Sequence, residues 1–390
     1  MENKTIKSLE GIRGLAAIIV TLHHFGAAWY LRPIEYGYLF VDLFFVLSGF
    51  VVTLAYSSRL TSGAQLRPFL IRRFGRLYPL MIFSTVLFVL AFNAAIFAKH
   101  TIVDIGYTHL FKNPDALAYM VPQFSELIGT ATFMQGMGWF NKQILNYVSW
   151  SISAEFYTYL LFAAVCIGFS GRWRLLVSAL LSVVGIAVAA WTSLTVHDCL
   201  SINACYAVTY DFGFFRCMGS FFLGALAFHA SRKVTFNETT AQIGALGALF
   251  AFFALIRAFP LLAIGFPLLC AFIIITISKD KGFLADFLNR KPMQVLGQRS
   301  FSIYMLHPII LLLLGPLPAV ISHTVDPLKN TVFTIVGLGI YLTLIIVVAG
   351  WSYAKIETPS RDWFNRLARG RQDGTPAAIA AHDVPAARAE

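Results

Sequence analysis

Charge is what this sequence has least of. Asp, Glu, Lys and Arg together make up 13% of its 390 residues, about half of the ~25% usual in soluble domains. That scarcity, with 58% hydrophobic residues and a mean hydropathy of +0.71, excludes a disordered chain and argues against a soluble enzyme. The net charge of +11 therefore has to be read by position in a membrane protein, not as a nucleic-acid footprint. Cysteine is scarce too. Five residues are too few for a disulfide scaffold, and they show no zinc spacing. No metal cluster and no permanently bound cofactor is expected. No internal repeat stands out, which weighs against a carrier built from repeated halves.

What the sequence has instead is long apolar runs. A helix crosses the hydrocarbon core in roughly 20 mostly apolar residues. Ten such runs are found, at 12–31, 37–57, 79–98, 148–169, 174–193, 212–230, 240–257, 260–278, 300–320 and 332–353. The fold expected is an all-α polytopic transmembrane bundle. The first run is no cleavable signal, because it is long, carries Arg13 and His23-His24, and lacks a small-x-small cleavage site. With the N-terminus inside, the outer segments hold only Arg32, Lys99, Lys112, Lys142, Arg216, Arg257 and Lys329 of the 30 Lys and Arg. That asymmetry puts both termini in the cytoplasm. Residues 1–369 read as one transmembrane domain and 370–390, rich in Ala and Pro, as a disordered cytoplasmic tail. Residues 99–147 form the main outer loop. Glu357-Thr358-Pro359 reads as the stop of the last helix. Cys199 and Cys205 share an outer loop and form either a disulfide or two free thiols.

Ionisable groups within apolar spans are costly and often mark function. Arg13 and His24 are eleven residues apart, close to three helical turns, so they share a face. Arg13 falls at the cytoplasmic end and His24 midway. A neutral imidazole there suits a general base, a proton shuttle or an acyl carrier, or simply a helix-to-helix bond. Asp42 sits in span two beside Ser48-Gly49 and needs a partner, as does Arg216 near the outer end of span six. The run Arg72-Arg73-x-x-Arg76 suits phosphates, although taken alone it reads first as a headgroup anchor. Trp150, Ser151, Ser153 and Glu155 open span four, and Glu155 is expected near the depth of His24. Tyr304 and His307 share a face ahead of Pro308, which can free backbone carbonyls.

Together these motifs resemble acyltransferase family 3. The likeness is carried by Leu9-Glu10-Gly11-Ile12-Arg13-Gly14-Leu15-Ala16-Ala17 leading to His24, by Val41-Asp42 through Gly49-Phe50, and by Arg72-Arg73-x-x-Arg76-Leu77-Tyr78-Pro79. Trp150-Ser151-Ile152-Ser153-Ala154-Glu155-Phe156 and Ser302-Ile303-Tyr304-Met305-Leu306-His307-Pro308 complete it, in the family's order. The resemblance implies a ten-helix O-acyltransferase of carbohydrates in a bacterial inner (cytoplasmic) membrane, of the stand-alone type without an extra extracytoplasmic domain. Its donor would be cytoplasmic acetyl-CoA or another acyl-CoA, and its acceptor a carbohydrate or glycolipid met from the other side, with polysaccharide assembly machinery as a further partner. On that reading His24, Glu155 and Arg13 are catalytic, with Glu155 orienting His24 or holding the sugar. Arg72, Arg73 and Arg76 bind the coenzyme phosphates. Asp42, Trp150, Arg216, Tyr304 and His307 meet the substrate, and Trp139 and Tyr147 add aromatic surface at the outer mouth. Two other readings compete: a proton-coupled transporter or flippase of a glycan-related substrate, and a structural subunit of an export complex.

Overall fold

A computed structural model describes residues 6–25, 32–106, 117–314 and 327–369. The expected tail 370–390, the ends of the first and ninth expected spans and the middle of the loop 99–147 lie outside the described residues. The protein is helical, with no strand among the described residues. In chain order its principal helices are α1 (Lys7–His24), α2 (Phe40–Tyr56), α3 (Leu66–Asp104), α4 (Phe124–Ala131), α5 (Trp150–Gly168), α6 (Gly171–Thr195) and α7 (Gly213–Ser231). They continue with α8 (Glu238–Leu255), α9 (Phe266–Ile277), α10 (Lys291–Gln298), α11 (Ser300–Leu314), α12 (Pro327–Ser352) and α13 (Thr358–Arg369).

Eight helical stretches among the described residues are long and apolar enough to cross a membrane: Gly37–Tyr56, Gly63–Asp104, Tyr147–Gly168, Gly171–Thr195, Gly213–Ser231, Glu238–Leu255, Pro260–Ile277 and Thr334–Arg369. The two other expected spans correspond to α1 and to the shorter apolar helix α11. Large apolar side chains such as Leu90, Phe97, Leu180, Val183, Phe250 and Val347 stand exposed on these helices. So much apolar surface belongs in lipid, and the protein is an integral membrane protein.

Helix–helix contact in lipid is set by small residues that let backbones approach. α2 and α7 meet in this way: a Cβ on Gly49 would strike the Phe221 carbonyl, and one on Gly224 the Val46 carbonyl. Gly224→Val is therefore expected to force the two helices apart. The measurement is the yield of monodisperse protein extracted in mild detergent, which should collapse for this variant.

α3 has 39 residues and is about 58 Å long at 1.5 Å per residue. It outruns the ~30 Å hydrocarbon core, so Arg72, Arg73 and Arg76 ride on the same rod as span three. Glu357-Thr358-Pro359 does not stop the last helix. A π turn at Tyr353–Glu357 leads directly into α13. The ring of Pro359 would clash with the carbonyl four residues back, that of Lys355, and the π turn opens the backbone there. α13 packs along α3, with Phe364 seated over Gly75. Cys199 and Cys205 are joined as a disulfide, and Cys166, Cys217 and Cys270 are free and buried.

Candidate active site

α1 ends in His23-His24, and the two imidazoles diverge. The Nδ1 of His23 meets the Ile34 carbonyl at 2.9 Å. The Nδ1 of His24 lies 2.9 Å from the Val20 carbonyl and 3.2 Å from the Nε2 of His307. The Nδ1 of His307 is 2.7 Å from the Tyr304 carbonyl. That carbonyl is available because Pro308 lacks the N–H that would bond it in a regular helix. A carbonyl can only accept, so His307 carries its proton on Nδ1 and offers the Nε2 lone pair. His24 then donates from Nδ1 to that lone pair and to Val20. Both rings are neutral in this arrangement, and the Nε2 of His24 is left as the basic nitrogen. His307 is fully buried, and Tyr341 donates to its backbone carbonyl at 3.3 Å. The ring of Tyr147 lies against His24, centroids 5.5 Å apart.

One turn from this pair, Tyr304 lines a narrow cavity of about 70 Å³ enclosed by α1, α2, α3, α5 and α11. Arg13, Arg73 and Arg76 enter it, as do Ser48, Ser151, Glu155 and Tyr159. We call this the basic end of the bundle. Ser48 and Tyr159 both donate to Oε1 of Glu155 at 2.5 Å. Tyr304 and Ser151 share a hydroxyl–hydroxyl bond of 2.9 Å. Arg13 pairs with Glu10 at 3.0 Å. Arg73 lies over the rings of Tyr56 and Tyr159, 5.1 and 5.6 Å from their centroids. The carboxylates of Glu10, Glu155 and Glu357 all attract the Arg76 guanidinium. Glu357 is buried and accepts from Ser302 at 3.0 Å. Arg72 does not line the cavity.

Several expected roles change at this point. Glu155 is not the group that orients His24. Its Oε1 accepts from Ser48 and Tyr159, no bond joins it to His24 among the described residues, and the ring that meets Nδ1 of His24 is that of His307. Asp42 and Arg216 are not open to a substrate, because both are fully buried and closed on each other. Arg216 donates to Asp42 from Nη2 at 2.6 Å and from Nε at 3.1 Å, and Ser220 donates to the other carboxylate oxygen at 2.8 Å. The remaining guanidinium N–H groups reach the carbonyls of Val208 and Tyr38. Trp150 is buried under this pair, its ring centroid 5.6 Å from the guanidinium carbon, and is not a platform for a sugar. Trp139, by contrast, is exposed.

Sequence reasoning gives Tyr159 and Tyr341 no role, and names Ser48 only as a neighbour of Asp42 and Glu357 only as part of a helix stop. Two of them left a signal there. Tyr159 stands one turn from Glu155, and Glu357 is a lone carboxylate at the end of an apolar run. Among the described residues, no three His, Cys, Asp or Glu side chains gather as a metal site.

Comparison with known proteins agrees with the motif order. The family model of an acyltransferase domain matches residues 6–351. The chain is 26% identical over 378 residues to the peptidoglycan O-acetyltransferase OatA of Listeria monocytogenes, covering 92% of this chain and 56% of that protein. It is 26% identical over 388 residues to the O-acetyltransferase OatA of Staphylococcus aureus, covering 91% of this chain and 57% of that protein. It is 32% identical over 170 residues to protein 2 in the picA locus of Rhizobium radiobacter, covering 40% of this chain and 88% of that protein. The chain thus spans about half the length of the OatA relatives. No solved structure matches it. With the match running through every motif that builds the histidine pair and the basic cavity, the chain belongs to the acyltransferase family.

Proposed function

We propose that the protein is a membrane-embedded O-acyltransferase that moves an acyl group, acetyl from acetyl-CoA, to a hydroxyl of a cell-envelope carbohydrate in a bacterial cytoplasmic membrane. The observation that carries this is the Tyr304–His307–His24 hydrogen-bond chain, which leaves a basic nitrogen one turn beyond an arginine-lined cavity. The basic end faces the cytoplasm, and both termini lie with it. Arg73 and Arg76 supply guanidiniums for coenzyme phosphates, the anions such groups pair with best. The narrow cavity suits the thin pantetheine arm better than a sugar ring.

The hydroxyl oxygen of the acceptor forms a bond to the thioester carbonyl carbon, and the C–S bond breaks. The hydroxyl proton passes to Nε2 of His24 and then to the departing sulfur. During the step the His24 imidazolium still donates from Nδ1 to His307, as the carboxylate of a catalytic triad would have it do, though His307 supplies a lone pair and no charge. A two-step variant uses the same nitrogen: Nε2 takes the acyl group from sulfur and passes it to the hydroxyl. An acyl mass found on His24 selects this variant.

The experiment is acyl-CoA binding by the detergent-purified protein. A charge-assisted hydrogen bond contributes roughly 1.5–3 kcal/mol. Arg73→Ala and Arg76→Ala are therefore each expected to weaken binding by about 10–100-fold, and wild-type binding should itself fall with salt. Unchanged binding in both variants removes the donor from this end.

A further inference from the structure

A second cavity opens at the end of the bundle away from the arginines, with a volume of about 450 Å³. We infer that it is the binding site of the carbohydrate acceptor, an inference that rests on the acyl-transfer reading. The volume falls within the ~300–1,000 Å³ of small-molecule sites, whereas the basic cavity could not admit a sugar ring. The walls combine aromatic faces, Phe88, Tyr119 and Tyr147, with the polar side chains of Gln123, Glu126, Lys142 and Gln143. A pyranose presents this same combination, C–H faces that lie on rings and hydroxyls that need donors and acceptors.

The charges say which sugar class fits. Lys142 is paired with Glu126 at 3.3 Å, so the cavity has balanced charge. That favours hydroxyl and amide groups over phosphates or free carboxylates. A lipid chain finds a better host in the apolar groove between α1 and α8, whose charged lining group is Arg32.

The cavity is also built. Asn93 clamps the backbone of Met120 with two bonds of 3.0 and 2.7 Å. Glu126 accepts from the Gln123 backbone at 3.0 Å, which fixes the start of α4. Most telling is Tyr147, because the side chain that lines this cavity also lies against His24. An acceptor held here has its hydroxyl delivered past Tyr147 to the basic nitrogen, from the opposite side to the donor.

The test uses cells that make the full chain, so the native acceptor is present whatever its identity. Gln143 is exposed, and Gln143→Cys places a thiol in the wall. The native cysteines are buried or disulfide-bonded, so a membrane-impermeant maleimide with a bulky tag reads this thiol alone. Val196→Cys, exposed outside the cavity, is the control. Base-labile acyl esters on the envelope glycan are counted after tagging. The expected result is a loss of at least tenfold when Gln143→Cys is tagged, measured against the same cells untagged, with ester content in tagged Val196→Cys cells unchanged. Acyl-CoA binding by the tagged, purified variant should stay at the wild-type level. Full tagging with unchanged ester content overturns the acceptor site and leaves the enzyme reading standing. Untagged wild-type cells with no more acyl ester than cells lacking the chain overturn both.

Discussion

Replacing His24 with alanine is expected to lower acyl transfer by about 10²–10⁴-fold, the usual contribution of a positioned general base. Acyl-CoA binding should be retained, because the arginines of the basic cavity lie on other turns and other helices. The reason for so large an effect is geometric. Only one ring nitrogen in the chain Tyr304–His307–His24 keeps an uncommitted lone pair, and it belongs to His24. His307→Ala should cost less, since Val20 still accepts from Nδ1 of His24 at 2.9 Å and holds the tautomer. The measurement is the turnover of labelled acyl-CoA in the presence of acceptor, compared at saturating donor. A His24→Ala protein with wild-type turnover would show that the pair is only a helix-to-helix bond.

The second large effect is on folding. Asp42→Ala leaves Arg216 buried and charged without its partner, a change that costs about 3–5 kcal/mol. Most of the protein should be lost from the monodisperse fraction, or unfold well below the wild type on heating in detergent. The double variant Asp42→Leu/Arg216→Met replaces the pair with apolar groups of similar bulk and is expected to recover much of that stability. Recovery with acyl transfer intact marks the pair as a bolt between α2 and α7. An Asp42→Ala protein of normal stability that fails only with the acceptor would return Asp42 to a substrate role.

These two cases show where the sequence was legible and where it was not. The helices, the intramembrane His24 and the arginine run announce themselves through apolar length and through charge out of place. The local effect of Pro308 was legible as well, because a missing N–H frees a carbonyl on the same helix, and the Tyr304 carbonyl accepts from His307. Partners across helices were not. Helical spacing orders residues on one rod and says nothing of which rod lies beside it. Asp42 and Arg216 are 174 positions apart, and His24 and His307 are 283 apart. Glu155 illustrates the consequence. Its depth made it a reasonable neighbour for His24, yet Ser48 and Tyr159 are the groups that bond it, both at Oε1. Trp150 misled in another way. An aromatic ring near the end of a span suits a sugar, but this one is covered by a guanidinium. Pro359 seemed to end a helix because the π turn that accommodates it has no marker in sequence.

The most direct test of the account is a single-turnover experiment with acyl-labelled coenzyme A and purified protein in lipid nanodiscs, with acceptor glycan isolated from the envelope. The account predicts that label leaves the thioester and appears as a base-labile ester on the glycan, that His24→Ala stops this while still binding the coenzyme, and that Arg76→Ala fails at binding. Label that stays on the coenzyme with the wild-type protein, while the glycan itself crosses the bilayer of sealed vesicles, would contradict it and make the protein a carrier.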